Sequence, residues 1–342
     1  MDVQKLEQTA NALVAKGRGV LAADESMGTI GSRFKAVGIA STEKSRRDYR
    51  ELLLTTPNIS EYLSGVILFD ETLRQNASDG EPFSQKLKEN GIISGIKVDA
   101  GAKDMALAPG EKVTEGLDGL RDRLEEYRGL GARFAKWRAV ITIGEGIPTT
   151  RCIESNAEAL ARYAALCQEA DIVPIVEPEV LIDGDHSIER CAEVTVATLH
   201  ATFNAIHRHR VHLKGLLLKP NMVISGKGCS VQADIEQVAV ATVECLLRTV
   251  PAALPGVVFL SGGQGDQQAT AHLNAMHRTY PNLPWVLTFS YARALQDLAM
   301  KTWAGKPENV EAAQQAFAHR ARLNAAASQG EYNEVMEEPT AA

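Results

Sequence analysis

Apolar residues gather in eight short runs rich in valine, isoleucine and leucine, at 19–23, 65–69, 93–98, 134–141, 172–176, 215–218, 257–260 and 285–289. Stretches with apolar positions three and four apart separate nearly all of them, the spacing of amphipathic helices. The clearest are 156–170, with Ser155 as an N-cap, then 187–207, 231–250 and 266–280. Two more helices, about 293–303 and about 308–327, follow the last run. Strands alternating with crossover helices are parallel strands. Eight of them without a Pro/Gly/Ser-rich linker predict one α/β domain, a closed (β/α)8 TIM barrel over 1–330 with C-terminal helices. The tail from 331 to 342 has no apolar period and is expected to be mobile and disordered.

An open doubly wound sheet is the competing architecture. It loses support because no G-x-G-x-x-G follows the first run and no Walker pattern is present. At 342 residues, 45% hydrophobic and 23% charged, the chain can bury a large core. A net charge of -7 lacks the basic footprint of a nucleic-acid or anionic-membrane partner. The start shows no signal-peptide pattern and no window reaches the roughly 18 apolar residues of a membrane span, so a cytoplasmic location and no membrane partner are expected. Cys152, Cys167, Cys191, Cys229 and Cys245 are odd in number and widely spaced, which predicts reduced thiols.

In a barrel, residues at the C-terminal ends of the strands line the active-site mouth. Here those ends are charged. The first run closes on Asp24-Glu25-Ser26, the third on Lys97-Val98-Asp99, the fourth carries Lys136-Trp137-Arg138, and the fifth ends Glu177-Pro178-Glu179. The sixth reaches Lys219, the seventh ends Ser261-Gly262-Gly263, and the eighth ends Ser290-Tyr291-Ala292-Arg293. Alternation puts Lys136 with Arg138, and Glu177 with Glu179, on one face. Ionisable groups from six of eight strands, buried inside a barrel, must be paired or used.

Lys219 ends an apolar run immediately before Pro220, a position that desolvates an amine while leaving it open to a cavity. Desolvation and a nearby Lys136 favour the neutral amine, the form that adds to a carbonyl to make a Schiff base. A carboxylate with a raised pKa, such as Glu177, suits the proton transfers of carbinolamine dehydration. Ser261-Gly262-Gly263 with Arg293 can hold a phosphate, as barrels tend to do after strands seven and eight. Neither histidine-rich segment reads as a metal site. His207, His209 and His212 fall at a helix end on the face away from the strand C-termini, and 183–186 offers too few ligands, so no metal or other cofactor is expected.

These segments in this order, Leu21 to Ser26, Gly95 to Asp99, Lys136 to Arg138, Val176 to Glu179, Leu217 to Met222, Leu260 to Gln264 and Phe289 to Tyr291, resemble class I fructose-bisphosphate aldolase from about 21 to about 330. The resemblance implies reversible, metal-independent cleavage of fructose 1,6-bisphosphate into dihydroxyacetone phosphate and glyceraldehyde 3-phosphate. It implies that Lys219 forms the imine, that Glu177 is its general acid/base, and that Asp24 lies by the C4 hydroxyl. Lys136 and Glu179 tune and orient these groups. Ser261, Gly262, Gly263, Ser290 and Arg293 correspond to one phosphate pocket; Ser26, Thr29, Arg33, Lys97 and Arg138 align with the opposite half of the site. The family also implies a homotetramer. Three positions depart from its pattern. Ser32 replaces a frequent lysine, Ala292 replaces a glycine, and the terminal tyrosine is missing, leaving only Tyr332. Two other readings are a Schiff-base aldolase preferring fructose 1-phosphate or another phosphoketose, and a barrel that binds or scaffolds without catalysis.

Overall fold

The alternation seen in the sequence becomes two cores. In the computed structural model, which describes residues 1–338, the strands are β1 (Gly19–Ala23), β2 (Leu63–Leu68), β3 (Ile93–Lys97), β4 (Ala102–Asp104), β5 (Lys112–Thr114), β6 (Phe134–Ile141), β7 (Val173–Val180), β8 (Leu217–Leu218), β9 (Gly256–Phe259) and β10 (Val286–Tyr291). Eight of them close a parallel barrel in the order β1-β10-β9-β8-β7-β6-β3-β2. Outward residues such as Leu21, Ala135, Trp137, Val176, Leu218 and Phe259 pack under the surrounding helices. Inward residues Val20, Ala22, Ile67, Phe134, Val173, Ile175, Leu217 and Val258 form the lumen core.

The lumen is apolar at one end only. The helix Val3–Leu13 sends Leu6, Ala10 and Leu13 into its base, and Phe134 fills the centre. A Cβ at Gly95 would lie 2.3 Å from the Phe134 ring, so glycine there makes room for it. Two residues further along five of the strands the lumen turns polar: Ala22 leads to Asp24, Gly95 to Lys97, Phe134 to Lys136, Ile175 to Glu177 and Leu217 to Lys219. The two-residue period of a strand thus places a charged layer directly above an apolar one.

The strand ends hold the differences from expectation. β7 runs through Pro178 to Val180. Its neighbour β8 has only two residues, and Lys219 N–H donating to Val176 C=O (2.8 Å) is the last rung between them. Pro178 faces that vacated side, where a missing N–H costs nothing, and Asn221 Oδ1 accepts the next N–H, from Val180 (2.9 Å). The helix placed at 156–170 begins earlier, at Thr150, with Thr149 rather than Ser155 as its N-cap. The helix placed at 231–250 is Ile235–Thr249, opened by an Asp234/Gln237 capping box. An antiparallel hairpin of β4 and β5 follows the third barrel strand.

Residues 334–337 form a short 3-10 helix. Glu337 accepts two hydrogen bonds from the buried Arg320, and Tyr332 is buried with its hydroxyl donating to the same carboxylate (2.9 Å). Residues 339–342 of the expected mobile tail lie outside the described residues. His209 pairs with Glu158 and His212 with Glu7, at the C-terminal end of the helix Ile188–Arg208 as the sequence placed them. Cys152, Cys167, Cys191 and Cys245 are buried free thiols, and Cys229 is partly exposed.

Candidate active site

A cavity of about 600 Å³ opens at the C-terminal ends of the strands. Of the fifteen candidate site residues, all but Arg33 line it. At its floor, four charges alternate in sign. Lys136 Nζ lies 2.8 Å from Asp24 Oδ2 and 3.2 Å from Glu177 Oε2, and Lys219 Nζ lies 3.3 Å from Glu177 Oε1. In the strand register Lys97 is level with Lys136 across β3 and β6, and Arg138 with Glu177 across β6 and β7. Lys136 and Lys219 are each 3% exposed and Glu177 4%, so these charges exist in the barrel because each holds an opposite one.

Burial opposes ionisation of Asp24, but the ammonium of Lys136, with Lys219 and Lys97 further away, overrides it and holds the carboxyl at about 2. Burial likewise opposes the charge on Lys136, and Asp24, Glu177 and Asp99 together outweigh it and push the amine well above the ordinary lysine range. The expected repulsion between Lys136 and Lys219 is moderated, because Glu177 sits between them with one oxygen toward each. Its Oε2, 3.2 Å from Lys136 Nζ, makes no hydrogen bond of good geometry among the described residues. Glu179 is turned to Arg138, its ion-pair partner, rather than to Lys219.

One end of the cavity is built from the loops after β9 and β10. Gly262 and Gly263 have φ of 58° and 88°, a turn that a side chain would strain, and they expose backbone at the cavity wall. Ser290 Oγ is buried without a hydrogen-bond partner among the described residues. Leu260 N–H donates to Pro220 C=O (3.1 Å), tying this loop to the strand end that carries Lys219. Ala292, where the family has a glycine, adopts φ -102°, outside the left-handed region that favours glycine.

The opposite end is built differently. Ser26 and Thr29 share a hydrogen bond (3.2 Å) at the start of the helix Met27–Ala36. Lys97 donates to Asp99 Oδ1 (2.5 Å) and to its carbonyl (2.7 Å), and Arg138 is held by Glu179. Arg33 is not brought to the cavity. It is paired with Glu25 and with Asp297 (2.8 Å), behind the wall, where it braces Glu25 together with Arg50 (2.7 Å). Ser32 donates to Gly28 C=O of its own helix (2.9 Å). The cavity also contains residues with no role expected from sequence: Glu25, Asp99 and Lys227. For Lys227 a signal existed, a lysine flanked by two glycines, Gly226 and Gly228, just past the sixth strand.

Comparison with known proteins gives a consistent answer. The family model for fructose-bisphosphate aldolase class-I matches residues 5–342. A probable fructose-bisphosphate aldolase class 1 of Xanthomonas campestris pv. campestris is 60% identical over 333 residues, spanning 97% of this chain and 99% of that protein. Fructose-bisphosphate aldolase B of Gallus gallus is 50% identical over 328 residues, spanning 96% of this chain and 90% of that one. Fructose-bisphosphate aldolase from Plasmodium falciparum, solved in complex with TRAP and a small molecule inhibitor, superposes with a TM-score of 0.95 at 48% identity, covering 96% of this chain and 95% of that chain. With a charged parallel barrel on one side and these relatives on the other, the chain belongs to the class I fructose-bisphosphate aldolases, which are lyases.

Proposed function

We propose that this chain cleaves fructose 1,6-bisphosphate reversibly, through a Schiff base on Lys219. The observation that carries the reading is the buried line Asp24, Lys136, Glu177, Lys219. Glu177 touches Lys219 and can take its proton, freeing the amine to add to the ketose C2 carbonyl. The same carboxyl then returns the proton to the carbinolamine oxygen, water leaves, and an iminium forms. Asp24, ionised throughout the neutral range, accepts the C4 hydroxyl proton. The C3–C4 bond breaks, its electron pair moves into the iminium to give an enamine, and glyceraldehyde 3-phosphate departs. Protonation at C3 and hydrolysis of the iminium release dihydroxyacetone phosphate. Lys136, clamped between two carboxylates, stays an ammonium and fixes both.

The phosphate next to the imine belongs with Ser261 to Gly263, Ser290 and Arg293, because C1 is adjacent to C2 and this loop is tied to the strand end of Lys219. The far phosphate then falls to Ser26, Thr29, Lys97 and Arg138. Borohydride with dihydroxyacetone phosphate should label Lys219 irreversibly, and EDTA should leave cleavage intact. An unlabelled, EDTA-sensitive protein overturns the reading. Lys219→Met should abolish labelling and lower cleavage by about 10⁴-fold or more.

A second reading, preference for fructose 1-phosphate, has one observation in its favour: Lys97, Arg138 and Arg33 at the far end each already hold a carboxylate. A kcat/KM ratio between the two ketoses decides it. Assembly as a homotetramer and a cytoplasmic location accompany the family reading; sedimentation of the purified chain and fractionation of cells test them.

A further inference from the structure

We propose that Lys227 is a third cationic arm of the near phosphate pocket and sets this chain's affinity for the phosphate beside the ketose carbonyl. The inference rests on the aldolase reading above and adds a residue to it.

The loop bearing Lys227 is fixed by backbone. Gly226 N–H donates to His186 C=O (2.8 Å), Lys227 N–H to Ile182 C=O (2.9 Å) and Gly228 N–H to Gly184 C=O (2.8 Å), zipping it to the loop after β7. A Cβ at Gly226 would come within 2.5 Å of the Gly184 carbonyl oxygen, so glycine is what lets the two loops meet. The anchor settles where the lysine side chain starts. That side chain lines the cavity and ends over Gly263. The point where a Gly263 Cβ would stand is 2.9 Å from Arg293 Nη2 and 3.1 Å from Lys227 Nζ.

Two cations from different loops therefore converge on one glycine. Like charges so placed repel unless an anion lies between them. The carboxylate paired with Lys227 is Asp183, 3.2 Å away, which also lines the cavity but is 69% exposed. A phosphate monoester carries two charges and three free oxygens, and it needs donors on several sides. The glycine turn with Ser261 and Ser290 supplies one side, the Arg293 fork a second, and Lys227 closes the third.

The phosphate concerned is common to dihydroxyacetone phosphate, fructose 1-phosphate and fructose 1,6-bisphosphate, so Lys227 should act on all three and on no phosphate-free ketone. The test titrates borohydride trapping at Lys219 with dihydroxyacetone phosphate and, in parallel, with dihydroxyacetone, in the full chain and in Lys227→Met and Lys227→Arg. Lys227→Met should raise the half-saturating concentration of dihydroxyacetone phosphate about tenfold with the same plateau, leave dihydroxyacetone unchanged, and be rescued to within about threefold by Lys227→Arg. An unchanged titration overturns the proposal. So does an equal loss with both ketones, which would make Lys227 a prop for the loop. A wild-type chain that traps neither ketone overturns the parent reading instead.

Discussion

The two ends of the cavity carry similar charges and treat them oppositely. At the near end, Ser290 Oγ has no hydrogen-bond partner among the described residues, the glycine turn exposes its backbone, Arg293 projects into the same space, and Lys227 is paired with the exposed Asp183. At the far end, Lys97 is bonded to Asp99 and Arg138 to Glu179. An anion arriving at the near end meets the buried hydroxyls of Ser261 and Ser290 and an arginine not paired with a carboxylate among the described residues, whereas one arriving at the far end must compete with a carboxylate for Lys97 and Arg138. The contrast predicts a tight grip on the phosphate beside the imine and a looser one on its distant partner.

Arg293→Ala tests the tight end and should have the largest effect. Losing a charged donor of this kind is worth about 1.5–3 kcal/mol, or roughly 10- to 100-fold in kcat/KM. The loss should be the same for fructose 1,6-bisphosphate and fructose 1-phosphate, since both present that phosphate. A loss confined to the bisphosphate would reverse the assignment of the two ends.

Between the ends, the line of buried charges has its own signature in acid. Asp24 is held at about 2 in the fold against 3.8 as its ordinary value. Between those values the unfolded chain binds more protons than the folded one, so stability falls as pH falls. The contribution, on the order of 2 kcal/mol, is fully present above about pH 4 and lost by about pH 2. Denaturant midpoints across that window should show the slope, and Asp24→Asn should flatten it. An unflattened slope would mean that Lys136 does not hold this carboxylate.

Arg138→Ala probes the loose end. Because Arg138 already shares its charge with Glu179, the proposed phosphate contact is weakened, and the net loss with fructose 1,6-bisphosphate should be about tenfold or less. Fructose 1-phosphate, which has nothing there to hold, should be cleaved as before. Equal losses for the two ketoses would show that Arg138 serves the floor of the site rather than the far phosphate.

Much of this contrast was open to sequence reading because strands have period two. Lys136 with Arg138 and Glu177 with Glu179 point inward whatever the exact strand limits, so a shift of β7 from 172–176 to Val173–Val180 left the charged layer in place. What sequence could not supply was who holds whom. Arg33 is turned from the cavity by Asp297, 264 residues away, and that pairing follows from helix packing, with no local pattern to announce it. Tyr332 is likewise committed by Arg320 and Glu337, whose ion pair forms only once the last long helix has docked. The hairpin of β4 and β5 was hidden by its brevity, three residues a strand, with Ala102–Asp104 fully exposed. Lys227 was in plain view, but its meaning depends on a zipper between two loops more than forty residues apart.

Ala292 should give the smallest effect. The family's glycine at this position suggested a backbone that a methyl group would crowd. Here φ is -102°, outside the left-handed region that favours glycine, and the methyl group packs against the lumen core below the near pocket. Ala292 C=O also accepts the N–H groups of Leu295 (3.1 Å) and Gln296 (3.1 Å), so the helix that carries Arg293 starts normally. Ala292→Gly should therefore change kcat/KM with either ketose by less than about twofold and lower stability by about 0.5–1 kcal/mol, the entropic cost of glycine in an ordered backbone. A marked gain in phosphate affinity would show instead that the methyl group crowds the tight end, and that the near pocket of this chain is less open than its geometry implies.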